Sequence, residues 1–162
     1  MTNAQLSRKI VKEYTKRGMT LGTAESCTGG LISKLITDIP GSSAVLCGAL
    51  VTYTNAVKEK LVGVDPEIIA RDTEVSYACA QAMADGARRT LGSCVAVSTT
   101  GYAGPGGGTE RDPVGTVYIG ISTPGGTHSE RFSAPVGATR SQVRVAAAHR
   151  ALELLWEILD TL

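Results

Sequence analysis

The sequence predicts an α/β domain, a three-layer α/β/α sandwich with a mixed sheet, on three observations. Its 162 residues are the size of one domain. Helical and strand-like apolar patterns are interspersed along the chain, and two late strand-like runs flank Pro124-Gly125-Gly126 in the manner of a hairpin. Interspersed helices and strands imply parallel strands joined by crossovers, the late hairpin adds antiparallel ones, and helices then cover both faces. Residues 1–162 are read as a single domain.

Each element follows from local chemistry. Thr2 and Gln5 have capping-box spacing, and Leu6, Ile10, Val11 and Tyr14 form a helical stripe that Gly18 can end. Met19 to Ala24 alternates as a strand and leads into Glu25-Ser26-Cys27-Thr28-Gly29-Gly30, after which Leu31, Ile32, Leu35 and Ile36 recur with helical period. Ile39-Pro40-Gly41-Ser42 breaks that helix, and the continuously apolar Ala44 to Tyr53 reads as a buried strand. Thr54 or Asn55 caps a short helix closed by Gly63, and Asp65-Pro66 opens another. Ser76 caps a longer helix with a small-residue face of Ala78, Ala82, Met83 and Ala87, ended by Gly92 before the strand Cys94 to Thr100. The loop Gly101 to Gly108, the hairpin strands Val114 to Ser122 and Thr127 to Ser133, and a helix from Arg140 to Leu159 complete the chain.

Composition excludes several classes of function. With 43% hydrophobic and 19% charged residues the chain can bury a core and has too little charge for disorder. A net charge of +1 provides no electrostatic footprint for a phosphate backbone, so no nucleic-acid partner is expected. The N-terminus lacks a secretory pattern, no apolar run approaches a membrane span, and the protein reads as cytoplasmic with no membrane partner. Cys27, Cys47, Cys79 and Cys94 are scattered, without metal-site or disulfide spacing.

An α/β sheet binds ligands at strand-end loops. Three such loops stand out: Glu25 to Gly30, Gly101 to Gly108, and the Gly41-Ser42-Ser43 turn. The first precedes a helix, so its N–H groups and the helix dipole suit an anion, although Ser26 or Thr28 can equally serve as a plain cap. It lacks Walker and Rossmann spacing. Cys27 at the same position can be a low-pKa nucleophile or an ordinary buried cysteine. Ser43, Tyr53 and Lys58 make a second chemical group. A lysine near the positive end of a helix is biased towards its neutral form, and a neutral lysine can activate a serine in place of the histidine of a Ser-His-Asp triad. Each of the three also has an ordinary structural reading.

The ordered blocks Thr23-Ala24-Glu25-Ser26-Cys27-Thr28-Gly29-Gly30, Gly41-Ser42-Ser43, Val51-Thr52-Tyr53-Thr54-Asn55 with Lys58, Gly101-Tyr102-Ala103-Gly104-Pro105 with Gly107-Gly108, and Pro113-Val114-Gly115-Thr116-Val117 span nearly the whole chain. Together they resemble the nicotinamide-nucleotide amidohydrolases, a family that includes the C-terminal domain of the competence/damage-inducible CinA proteins. The resemblance implies hydrolysis of nicotinamide mononucleotide to nicotinate mononucleotide and ammonia, in pyridine-nucleotide recycling. It assigns the nucleophile to Ser43, with Tyr53 and Lys58 assisting, and it places Ser26, Thr100 and Arg140 in the site. The implied reaction needs neither metal nor cofactor, and its partner is the small-molecule substrate. The substrate phosphate is expected on Arg140 and the loop containing Ser26, Thr28, Gly29 and Gly30, and the oxyanion on N–H groups of the Ser43 turn or the Gly101 loop. Tyr102 and Leu46 depart from the family pattern. Longer members carry an N-terminal domain resembling molybdopterin-binding proteins, for which this chain has no room. A homo-oligomer is compatible with the sequence. The alternative reading is a non-catalytic nucleotide-binding module.

Overall fold

The computed structural model describes residues 1–162. Thr2 caps helix α1 (Asn3–Arg17) through the reciprocal bonds of a capping box with Gln5, and Gly18, at φ 64°, ends it in the left-handed conformation. There follow β1 (Leu21–Glu25), α2 (Leu31–Thr37), β2 (Leu46–Val51), α3 (Asn55–Val62), α4 (Pro66–Asp72), α5 (Tyr77–Leu91), β3 (Val95–Gly101), β4 (Thr116–Thr123), β5 (Gly126–Ser133) and α6 (Arg140–Glu157). The sheet order is β2-β1-β3-β4-β5. The first three strands are parallel, and β4 and β5 add antiparallel to β3. The α/β fold with a mixed sheet is thus the one the sequence predicts.

Helices α1, α2 and α6 pack on one another and on one face of the sheet, and α5, with α3 and α4 against it, covers the other. The larger core lies under the first layer, where Leu6, Ile10, Ile32, Ile36, Val97, Ile119, Leu152 and Leu155 meet. The smaller one gathers Val62, Cys79, Met83 and Ala87 beneath α5. No helix is long and apolar enough to cross a membrane.

Two elements differ from expectation. Residues 42–44 form a 3₁₀ turn, and β2 begins only at Leu46. Instead of a buried strand it is the sheet edge, with Cys47, Ala49 and Val51 exposed. Continuous apolarity reads as a strand enclosed by the sheet, and β2 has a neighbouring strand, β1, on one side only. On α5, the buried face is Cys79, Ala80, Met83, Ala84, Gly86 and Ala87, while Ala78 and Ala82 are half-buried. A helix of alanines carries little phase information. Close backbone approach sets its rotation: a Cβ on Gly86 would collide with the Val62 carbonyl, and one on Gly120 of β4 with the Ala80 carbonyl.

Candidate active site

In a parallel sheet all strands deliver their following loops to one end. The exits of β1, β2 and β3 therefore bring together the Ser26 loop, residues 52–55 and the Gly101 loop. They enclose a cavity of about 220 Å³ lined by Ser26, Cys27, Tyr53, Lys58, Glu74, Thr100, Arg140 and neighbouring residues.

Lys58 reaches it from the first turns of α3. Thr54 caps that helix through a bond from the Val57 N–H, which turns Lys58 back over the exit of β2. The side chain is 1% exposed. Its Nζ lies 3.0 Å from Ser26 Oγ, 2.8 Å from the Thr52 carbonyl and 3.2 Å from the Tyr53 carbonyl. Burial lowers its pKa from the ordinary 10.5, and the nearby Glu74 carboxylate opposes that shift. A neutral lysine has two N–H bonds and one lone pair. With the two carbonyls taking the N–H bonds, the lone pair faces Ser26 Oγ, the geometry of a general base on a nucleophile.

The Ser26 loop is held rigidly. The Glu25 carboxylate is fully buried and accepts the Thr28 hydroxyl at 2.8 Å, the Ile32 N–H at 2.8 Å and the Ser33 N–H at 3.1 Å. Its own charge thus occupies the start of α2, and the anion site that the sequence suggests for a phosphate there is already filled. The Thr28 hydroxyl also shares a hydrogen bond with Thr99, which turns it into the core. Gly29 and Gly30 adopt φ of 60° and 99°, so their part is the turn itself. Arg144, one helical turn beyond Arg140, donates to the Cys27 and Thr28 carbonyls and ties the loop to α6. Sequence reading missed Arg144, and its spacing from Arg140 on one helix face was the available signal.

Cys27 lines the same cavity without being activated. Burial pushes its thiol pKa up to about 11, so the helix-end effect expected from sequence loses to desolvation. The backbone N–H groups of Cys27 and Thr28 make no backbone hydrogen bond.

Of the other expected residues, Thr100 and Gly101 line the cavity, and the Thr100 hydroxyl donates to the Glu74 carbonyl at 2.6 Å. Arg140 lies at the rim, donating to the Gly104 carbonyl at 2.7 Å and to the Tyr53 hydroxyl at 2.9 Å. The Tyr53 ring is 56% exposed and its hydroxyl meets Arg140, so its carbonyl alone reaches Lys58. Tyr102, one of the two departures from the family pattern, forms part of the wall, and burial and the nearby Glu74 raise its hydroxyl pKa. Glu74 was not anticipated at all.

Ser43 is not brought to this group within one chain. Its turn precedes β2, whose Leu46 pairs with Leu21 at the entry of β1, whereas Ser26 follows Glu25 at the exit. Six residues of strand, roughly 20 Å at 3.3 Å each, separate the two ends. The Ser43 side chain is exposed there. Sequence reading treated the turn before a strand and the loop after it as equivalent strand-end loops, and a parallel sheet puts them on opposite sides.

The comparisons agree with this architecture. Residues 3–159 match the CinA C-terminal domain model. A CinA-like protein of Myxococcus xanthus is 49% identical over 147 residues, covering 90% of this chain and 34% of that protein. A putative competence-damage inducible protein of Moorella thermoacetica is 44% identical over 143 residues, covering 88% and 34%. The chain thus spans about a third of the length of these curated relatives. Among solved structures, the competence/damage inducible protein CihA from Agrobacterium tumefaciens superposes with a TM-score of 0.93 at 38% identity, covering 96% of this chain and 94% of that one. A CinA-superfamily protein from Klebsiella pneumoniae 700603 superposes with a TM-score of 0.95 at 29% identity over the full length of both. With 157 of its residues inside one family model and the same fold in that family's solved structures, the chain belongs to the CinA C-terminal domain family.

Proposed function

We propose that the protein is a nicotinamide-nucleotide amidohydrolase that converts nicotinamide mononucleotide and water to nicotinate mononucleotide and ammonia. The observation that carries this reading is the buried Lys58 Nζ at 3.0 Å from Ser26 Oγ, opening into a cavity. The substrate class rests on the motif resemblance, which covers the Ser26, Tyr53 and Gly101 loops of that cavity.

Ser26 Oγ attacks the carboxamide carbon while neutral Lys58 takes its proton. The unbonded N–H groups of Cys27 and Thr28, directly after the nucleophile, are suited to the developing oxyanion. The Lys58 ammonium then protonates the departing nitrogen, ammonia leaves, and an acyl ester remains on Ser26. A water that gives its proton to Lys58 attacks this ester and releases the carboxylate. Arg140 is the cation for the substrate phosphate at the rim, in exchange for its contacts with Tyr53 and Gly104. Ser26 replaces Ser43 as the nucleophile in this reading, because Ser26 is the serine within reach of the base.

The test is to incubate the purified protein with nicotinamide mononucleotide and measure ammonia and nicotinate mononucleotide together. Equal amounts of both are expected from the wild type, with Ser26→Ala and Lys58→Met losing about 10³-fold or more in kcat. Saturable binding of the nucleotide without either product would replace the amidase with the binding-module reading.

A further inference from the structure

The segment between α4 and α5 carries a conformational cost that the helices on either side do not require. Thr73 sits at φ 68°, ψ 168°, the one positive φ on a non-glycine residue in the chain. For a β-branched residue this conformation is unfavourable and persists only where surrounding structure enforces it. Here the enforcement is explicit. Thr73 Oγ1 donates to the Val75 carbonyl and accepts the Val75 N–H, Ser76 Oγ donates to the Thr73 carbonyl at 2.9 Å, and Thr100 Oγ1 from β3 donates to the Glu74 carbonyl. The effect of these bonds is to fix the Glu74 backbone at the cavity wall.

The Glu74 side chain is half-buried, lines the cavity with Ser26 and Lys58, and takes part in no ion pair and no side-chain hydrogen bond of the chain. An unpaired carboxylate beside a lysine that works only when neutral opposes catalysis, since its field holds the proton on Lys58. That opposition ends if a bound substrate brings its own positive charge. An N-glycosylated nicotinamide does so, because substitution on the ring nitrogen makes the ring a pyridinium cation conjugated with the carboxamide.

We propose that Glu74 is the counter-ion for a cationic ring, selecting N-quaternised pyridine carboxamides over neutral ones. The proposal rests on the amidohydrolase reading for its substrate. Binding pairs the ring with Glu74, and the ring charge replaces the Lys58 ammonium as the positive charge of the pocket. The substrate itself thereby favours the neutral base. Free nicotinamide, whose ring is neutral, forgoes both effects.

The experiment compares nicotinamide mononucleotide with its 1,4-dihydro form, which has the same carboxamide, ribose and phosphate on a neutral ring. Glu74→Gln is close to isosteric, and its fold is checked by circular dichroism. The variant is expected to lose about tenfold or more in kcat/KM on the cationic compound, the weight of one partly desolvated ion pair, and to be unchanged or faster on the dihydro compound, where the field that holds the proton on Lys58 is gone. Equal losses on both, or none on the cationic one, would overturn the proposal. If the wild type hydrolyses neither compound, the amidase reading fails, and equilibrium binding of the same two compounds decides the Glu74 assignment. A wild-type preference for the cationic ring that vanishes in Glu74→Gln supports it. No preference in the wild type, or the same preference in both proteins, overturns it.

Discussion

Lys58 Nζ and Ser26 Oγ lie 3.0 Å apart although 32 positions separate them in the chain. Adjacent parallel strands create the pair: Ser26 follows the exit of β1, and Lys58 sits one turn into α3, the helix that follows the exit of its neighbour β2. The rest of the lysine's bonding is to main-chain carbonyls, so the base is aimed by backbone that no single side-chain change removes.

The pH profile follows from the direction of the Lys58 shift. Only the neutral amine can take the Ser26 proton, so kcat/KM should rise with pH, tenfold per unit below the midpoint, and level off above it. Because burial lowers the lysine pKa, that midpoint lies below 10.5. Stability has the same sign. Between the lowered folded value and the ordinary unfolded one the unfolded chain binds more protons, so the cost of burying this charge is relieved as pH rises through that window. A pH–rate series on the wild type measures the midpoint. Lys58→Arg, which cannot deprotonate, should be inactive across the range, and a flat profile in the wild type would remove Lys58 as the base.

Thiol chemistry separates the serine from the cysteine mechanism. Cys27 is buried with a pKa near 11, whereas Cys47 on the edge strand is exposed. Iodoacetamide at neutral pH should modify Cys47 and spare Cys27, with turnover unaffected, and Cys27→Ser should stay within about threefold of wild type. Mass spectrometry of the alkylated protein locates the label. Turnover lost in step with labelling of Cys27 would restore the cysteine as nucleophile.

Most of the fold was legible because its elements announce themselves by periodicity and caps: Thr2, Thr54, Asp65, Ser76 and Thr139 each accept a first-turn N–H at the start of a helix. The site was legible only as loops. Ser26, Lys58, Thr100 and Arg140 all line the cavity, but which end of the sheet a loop occupies depends on strand direction, and within one chain the Ser43 turn lies at the opposite end of β2. Glu74 was invisible for a different reason. Its signal is a positive φ on the preceding Thr73, and no sequence pattern marks a strained threonine.

Ser43 supplies a sharp test of the nucleophile. Ser43→Ala changes an exposed turn residue at the far end of β2 and should leave both stability and kcat within about twofold of wild type. Ammonia release measured beside Ser26→Ala decides the matter. A loss as deep as that of Ser26→Ala would mean that Ser43 arrives from a second copy. Antiparallel self-pairing of the exposed edge strand β2 about Gly48, midway between Ser43 and Tyr53, would bring the two together, and sedimentation of the active protein would then have to show a dimer.

Glu25 tests how the Ser26 loop is held. Its carboxylate is 0% exposed and accepts the Thr28 hydroxyl and the N–H groups of Ile32 and Ser33, all of them donors. Glu25→Gln keeps the shape but turns one acceptor into an NH₂ that must face a donor. About 1–3 kcal/mol of stability should be lost, the cost of leaving one buried polar group unsatisfied. Turnover should fall as well, because the loop that carries Ser26 would lose its anchor at the start of α2, while Arg144 still holds the Cys27 and Thr28 carbonyls from the other side. Denaturant melts and ammonia release on the same preparation check both effects. Unchanged stability would mean that these N–H groups find other partners, and the loop would then owe its shape to its glycines and to Arg144.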